Sequence, residues 1–525
     1  MILSNEVLKA YNSSRTNTDK TLACHAPSLN LNFEQNGNVR ACCYNTTHIL
    51  GKWPEQTIKQ IWEGAKADEL RNYIQKNDFG GGCIECGRMI EAGNHHGVRA
   101  KYYDEFASGS LTSRIQNFTN KLTGKIHFPK VMEFELSNEC NLECVMCTGY
   151  FSSSIRKNRE KLPAIISPYN EKLVDELEEF IPHLTDAKFL GGEPFMIGIY
   201  LSIWERMLKL NPNIRIHITT NGTFLNNRVK ELLEGLRAGI ILSMDSVVKD
   251  TYHKIRVNGN YDKVMENLEY FRDYTKRKKT FISIAACPIL YNWKELPQML
   301  DFCLDRNIAL YFNAVFTPVE LSLREQPTEL LKEIIAFLQL HVRKEEPGNL
   351  QSPRNLSIRA YNDFIKLLKG WLIEREELLS QKSNRLHEIN APVDFISLAD
   401  ESVVWSLDEI SKTLFALVDQ ERKGFFEEQK QLQNKLGQLL SSTPEGKLNS
   451  ALTCYLTVSD RFSGTVSDKE AEAKIEAVAN LIETHPRRNS ILSQTAMAPP
   501  LLFASLIKTQ QIEELKNSLA MFFNG

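Results

Sequence analysis

The chain has 525 residues, 42% hydrophobic and 24% charged, enough apolar material for two to four folded domains. Its 63 Lys and Arg nearly balance 65 Asp and Glu, for a net charge of −2, which argues against the broad basic face that nucleic-acid binding uses. The opening MILSNEVLKAYNSSRTNTDK has no basic stretch leading into an apolar one, and no apolar run reaches spanning length. A cytoplasmic protein is expected, with no nucleic acid or membrane among its partners.

Eleven cysteines, at 24, 42, 43, 83, 86, 140, 144, 147, 287, 303 and 454, are then the main signal, because clustered thiols in a reducing compartment hold metal more often than they form disulfides. The first group lies before residue 90. NFEQNGNVRACC (32–43) reads as a hairpin turned at Asn-Gly, with Cys42 ending the return strand. IKQIWEGAKADELRNYIQK has helical spacing, and the GGG before Cys83 permits a tight loop that brings CIEC back toward Cys24 and Cys42. Four thiols, Cys24, Cys42, Cys83 and Cys86, make a full ligand set for an iron–sulfur cluster or a structural zinc. Cys43 either substitutes for Cys42 or packs. His25, His95 and His96 lie close in sequence, as replacement ligands or, more plainly, as solvated loop residues.

Six β-rich runs follow, alternating with longer amphipathic segments: VMEFEL (131–136), AKFLG (187–191), IRIHITT (214–220), GIILSM (239–244), FISIAA (281–286) and IALYFNA (308–314). Six βα units fall short of the eight of a closed barrel. The loop after the first carries ECNLECVMC, with Cys140, Cys144 and Cys147; the loop after the second carries LGGEP, with Gly191, Gly192, Glu193 and Pro194. Glycines there allow close backbone approach and Pro194 stiffens the exit. A zinc site completed by a distant ligand would account for the three thiols but not for the second loop. Past residue 317 the strand signal stops. FIKLLKGWLIEREELLSQ and a longer amphipathic stretch carrying Leu407, Ile410, Leu414 and Leu417 point to an all-α region, either a supporting bundle or a docking platform. Cys287, Cys303 and Cys454 read as small buried hydrophobes, and HPRRN (485–489) as a solvated turn.

CNLECVMC, LGGEP, TTNGT (219–223), LSMDS (242–246) and YHKIRVNGNYDKVMENL (252–268), in this order over residues 126–316, resemble the radical S-adenosylmethionine (SAM) superfamily. The resemblance implies a partial (β/α)6 barrel in which Cys140, Cys144 and Cys147 ligate three irons of a 4Fe-4S cluster. The fourth iron chelates SAM, whose reductive cleavage gives a hydrogen-abstracting 5′-deoxyadenosyl radical. It also implies that Gly191, Gly192 and Glu193, followed by Pro194, hold the methionine amino group, Ser243 the ribose or methionine end, and Arg256 the SAM carboxylate. Asn221 and Asp245 are either ligands or strand-end residues that satisfy backbone groups. Met146 stands where many relatives carry an aromatic residue near the adenine.

The step from Gly37 to Cys42, then Trp62, Arg71 and the closing C-x2-C, resembles the twitch domain, the short form of the SPASM auxiliary-cluster domain. Here it precedes the barrel, as in a smaller group of such proteins. The resemblance implies an auxiliary 4Fe-4S cluster on Cys24, Cys42, Cys83 and Cys86. The expected organisation is a cysteine-rich α+β domain over 1–125, the barrel over 126–320 and an all-α domain over 330–525. The expected activity is radical SAM hydrogen abstraction from a peptide or protein, with flavodoxin or ferredoxin as electron donor. A small-molecule sugar or alcohol dehydrogenase is the enzymatic alternative, and a metal-stabilised, non-catalytic scaffold is the alternative of another class.

Overall fold

Alternating polar and apolar residues along short β-rich runs make strands with one greasy and one wet face. In the computed structural model, which describes residues 1–15, 20–45, 47–95, 98–107, 128–388 and 482, nine such strands form one sheet in the order β3-β2-β1-β4-β5-β6-β7-β8-β9. All six strands expected of the barrel are present and parallel: β4 (Val131–Phe134), β5 (Asp186–Phe189), β6 (Arg215–Thr220), β7 (Ala238–Ser243), β8 (Ile282–Ala286) and β9 (Ala309–Phe312). The N-terminal hairpin, β1 (Asn30–Phe33) and β2 (Asn38–Arg40), with the short β3 (Gly51–Lys52), does not stand apart. β1 pairs in parallel with β4, so the barrel's first strand has a neighbour on each side.

Register sorts the residues. Leu31, Phe33, Met132, Phe134, Ala187, Phe189, Ile216, Ile218 and Ile240 face one way, into a core with Val174 and Leu177, Tyr200 and Trp204, Val229 and Leu233, and Phe271 and Tyr274 from the covering helices. Each fully buried side chain of this kind contributes about 1.5–3 kcal/mol. Asn32, Glu133, Lys188, His217 and Gly239 form a transverse row on the opposite, inner face. Helix starts follow the sequence: Asn226 accepts the Val229 N–H and Asn260 the Lys263 N–H as N-caps.

One expected element differs. The helical run from Ile58 splits into Ile58–Trp62 and Ala65–Gln75, with Gly64 as the second helix's N-cap; a Cβ on Gly64 would sit 2.6 Å from the Gln60 carbonyl oxygen. Past β9 the described residues include two helices, Thr328–Gln339 and Pro353–Glu388. Ser357 receives the Leu310 N–H at 2.9 Å and donates to the Ile308 carbonyl at 3.0 Å, so the beginning of the long helix covers the β9 edge. The chain divides into two compact units, residues 1–324 with 332–370, and 325–331 with 371 onward. The amphipathic stretch carrying Leu407 to Leu417, Cys454 and HPRRN lie outside the described residues. Among the described residues no helix is long and apolar enough to cross a membrane.

Candidate functional site

The three cysteines of ECNLECVMC occupy the loop leaving β4, the end of a βα unit where barrel chemistry resides. The loop is held by its own backbone and by the short helix after it. Cys147 N–H donates to the Cys144 carbonyl at 3.0 Å, and Ser153 Oγ accepts the Cys140 N–H at 3.1 Å. Ser154 Oγ donates to the Cys140 carbonyl at 3.0 Å, while Ser152, the helix N-cap, donates to the Leu142 carbonyl at 2.7 Å. Further along, Glu143 and Val145 N–H groups donate to Val257 and Ile255 carbonyls. Burial raises all three thiols, Cys144 to about 12, so metal binding here releases protons.

LGGEP packs directly against this loop. Gly191 has φ +78° and a Cβ there would lie 2.8 Å from the Ser137 carbonyl oxygen; one on Gly192 would lie 2.6 Å from the Glu139 carbonyl carbon. Both glycines are thus required by contact with the backbone entering the cysteine loop. Glu193 N–H donates to the Glu139 carbonyl at 2.7 Å. Its carboxylate, fully buried, accepts from Thr220 Oγ1 (2.7 Å), Asn221 N–H (2.7 Å) and Phe195 N–H (3.2 Å); burial nonetheless outweighs these bonds and lifts it to about 7. Glu193 therefore ties the second loop to the third, and Pro194 leads out of it toward the helix starting at Gly198.

Asn221 completes the tie to the cysteines. Its Oδ1 accepts from Thr223 N–H (2.9 Å), and its Nδ2 donates to Asn141 Oδ1 (3.1 Å) and approaches Cys140 Sγ at 3.9 Å. Asn141 in turn donates to Thr223 Oγ1 at 2.9 Å. Asp245, at the end of β7, pairs with Arg256 Nε at 2.7 Å with both side chains buried, and accepts the Cys287 N–H at 2.7 Å. Arg256 Nη1 lies 3.9 Å from Cys144 Sγ. Burial works against the guanidinium charge, but Asp245 and then Cys144 outweigh it and hold Arg256 above its ordinary value. Ser243, half-buried, is the last residue of β7. Met146 and Cys287 pack against Ile255, Ile289, Val315 and Leu321, and Cys303 is fully buried. Asn141 and Thr223 sit inside ECNLECVMC and TTNGT with no signal of their own beyond that membership, and Ser153 follows the last cysteine in the serine run 152–154.

The second set of thiols shares one pocket. Cys24, Cys42, Cys83 and Cys86 line it together with Pro27, Phe79, Ala100 and Tyr103. Cys83 is the N-cap of the helix Ile84–Glu91, which carries Cys86 in its first turn. Burial raises all four thiols, Cys83 to about 12. Arg71 stacks over Trp62 at 4.5 Å and donates to the Pro27 and Trp62 carbonyls, fastening the Cys24 segment to the helices. Cys43 is exposed and does not line the pocket; His25 is buried beside it without lining it, and His95 sets its ring edge-on to Tyr11 at 5.4 Å. His96 lies outside the described residues. Among the described residues no three His, Cys, Asp or Glu side chains meet at the spacing of a single metal ion's ligands. Both thiol sets suit an iron–sulfur cluster by donor chemistry: three thiols on one loop, and four around one apolar pocket.

Residues 134–303 match the radical SAM superfamily, and residues 24–87 match SPASM, an iron–sulfur cluster-binding domain. A probable GTP 3′,8-cyclase of Methanocaldococcus jannaschii is 26% identical over 178 residues, covering 33% of this chain and 55% of that protein. The GTP 3′,8-cyclase of Limosilactobacillus fermentum is 25% identical over 206 residues, 38% of this chain and 57% of that one. The chain spans about half the length of these relatives. Among solved structures, Streptococcus suis SuiB bound to S-adenosylmethionine matches with a TM-score of 0.32 and 16% identity over 53% of this chain and 60% of that one. Native anSMEcpe with bound AdoMet matches with 0.31 and 21% identity over 40% and 59%.

Proposed function

We propose that this radical SAM enzyme, with an auxiliary-cluster domain ahead of its barrel, abstracts hydrogen from a peptide or protein. The observation that carries the chemistry is the fastening of the cysteine loop to both neighbouring loops, through Gly192 and Glu193 on one side and Asn221 on the other. When bound, the open-cornered cluster and SAM supply one-electron, hydrogen-abstracting chemistry. In this reading Cys140, Cys144 and Cys147 hold the cluster, while Gly191, Gly192, Glu193, Ser243 and Arg256 orient SAM. Cys24, Cys42, Cys83 and Cys86 hold the auxiliary cluster, and a flavodoxin or ferredoxin delivers the electron.

A peptide substrate is supported by exposed apolar residues on the segments that follow β4 and β9. Tyr150 and Phe151 after the cysteines, Leu162 and Ile166 before the helix starting at Glu171, and Phe316 and Val319 after β9 are all exposed apolar residues. Exposed apolar side chains suit contact with an extended chain better than an enclosed small molecule. The second reading is a small-molecule substrate, and relatives named as GTP 3′,8-cyclases favour a nucleotide. The test is SAM turnover by the anaerobically reconstituted enzyme in parallel with a mixed synthetic peptide library, GTP and no addition. Stimulation of 5′-deoxyadenosine by peptides supports the proposal; stimulation by GTP alone overturns the peptide part of it.

A further inference from the structure

The inner face of the sheet carries a cluster of charged residues, of which Arg99 also lines the pocket of the four thiols. Glu133 draws two cations, Arg99 at 2.5 Å and Lys188 at 3.2 Å, and Arg40 pairs with Glu34. Two residues on from Glu133, just past the end of β4, Glu135 makes no ion pair or side-chain hydrogen bond among the described residues, although Glu133, Glu34 and Arg40 all act on it electrostatically. Around it the hydrogen-bond inventory does not close. Glu34, 7% exposed, and Arg40 pair with each other, but Glu34 Oε2 and Arg40 Nε accept and donate no hydrogen bond, and Nδ2 of Asn32, 2% exposed, has no hydrogen-bond partner. A buried donor such as Asn32 Nδ2, beside carboxyl and guanidinium atoms whose hydrogen bonds are incomplete, marks a place where a ligand completes the set.

Residues next to both thiol sets feel this charge. Tyr150, three residues past Cys147, lies within the electrostatic reach of Glu34, Arg40 and Glu135, and Gln35 Nε2 donates to its carbonyl at 2.5 Å. From the other direction Cys43, next to Cys42 of the second pocket, has Arg99, Glu133, Glu135 and Lys188 as its charged neighbours. Glu135 thus acts electrostatically on a residue next to each thiol set.

We propose that Glu135, with Glu34 beside it, binds a cationic group of the substrate, an ammonium or guanidinium, while Asn32 and Arg40 donate to a carbonyl next to it. This deepens the peptide reading and rests on it: the ligand is a basic residue within a peptide. Carboxyl oxygens on two glutamates provide the acceptors a multiply donating cation needs, and Asn32 Nδ2 with Arg40 Nε, which donate no hydrogen bond, provide for the backbone carbonyl. Burial, followed by Glu133 and Glu34, lifts Glu135 to about 7, so a bound cation also restores its charge near neutrality.

The test is equilibrium binding by calorimetry to the full-length, cluster-loaded enzyme with SAM, kept anaerobic. The probes are the end-capped tripeptides Gly-Lys-Gly, Gly-Leu-Gly and Gly-Glu-Gly, and agmatine. The expected result is that Gly-Lys-Gly binds at least about tenfold more tightly than Gly-Leu-Gly, and that Glu135→Gln abolishes this preference while iron content and SAM affinity hold. Glu135→Asp, which keeps the charge, retains part of it. Glu135-dependent binding of agmatine without any peptide binding would uphold the cation site and overturn the peptide reading. Equal binding of Lys and Glu peptides, a preference indifferent to Glu135→Gln, or no binding of any probe would overturn the proposal.

Discussion

Replacing Gly192 by alanine tests the packing that holds the cysteine loop. A Cβ at this position would lie 2.6 Å from the Glu139 carbonyl carbon and 2.8 Å from that of Asn138. Ordinary carbon contacts sit near 3.5–4.0 Å, so the backbone entering the loop must retreat by roughly 1 Å. Both obstacles are main chain, and no flexible side chain can yield in their place. The retreat also stretches the 2.7 Å bond from Glu193 N–H to the Glu139 carbonyl. Overpacking of about 1–3 kcal/mol and loss of a bond worth about 0.5–1.5 kcal/mol put the local cost at roughly 2–4 kcal/mol. A shift of that size at the cluster ligands is expected to lower SAM cleavage about a hundredfold. The assay is anaerobic 5′-deoxyadenosine formation, with Gly198→Ala as the control, since a Cβ there meets nothing within 4 Å. Wild-type turnover by Gly192→Ala would refute the reasoning.

Three further outcomes follow from the same contacts. Asp245→Ala leaves the buried Arg256 guanidinium without its carboxylate and should cost about 3–5 kcal/mol in urea unfolding; a variant within 1 kcal/mol of wild type (roughly the cost of an ordinary surface change) would deny the pair its role. Glu135 has a folded pKa of about 7, raised above the ordinary 4.5 by burial, so the stability it contributes is full below pH 4.5 and is lost as pH rises through 7. Glu135→Gln should flatten that decline in denaturant midpoints measured at pH 5 and pH 8, and an unchanged slope would argue against it. Cys42→Ala should lose the auxiliary cluster's iron by elemental analysis whereas Cys43→Ala should keep it, because only Cys42 lines the pocket; equal loss would contradict the ligand assignment.

The barrel was legible in the sequence because each βα unit is written locally: six β-rich runs and their amphipathic partners keep their order and became β4 to β9. The parallel pairing of β1 with β4 was not. Asn30–Phe33 is four residues long, alternates polar with apolar, and meets its partner about a hundred residues later, so nothing near it in the chain names that neighbour. The break at Gly64 escaped because apolar spacing continues through it. In the site, the cysteines and the two glycines announce themselves by spacing, but Glu193 does not announce that its carboxylate faces Thr220 and Asn221. Glu133, Glu135 and Lys188 were hidden for a related reason: inside VMEFEL and AKFLG they look like the solvent face of strands, and only the folded chain shows Glu133 buried and Glu135 and Lys188 half-buried.

The most direct test of the central claim is anaerobic SAM cleavage by the iron- and sulfide-reconstituted enzyme under strong reductant, with 5′-deoxyadenosine read by mass spectrometry. A variant combining Cys140→Ala, Cys144→Ala and Cys147→Ala is measured alongside. The account predicts product from the wild type and none from the variant, which retains the auxiliary cluster's iron. A fully loaded wild type that yields no 5′-deoxyadenosine, with or without peptides, would contradict it and leave the chain a metal-bearing scaffold.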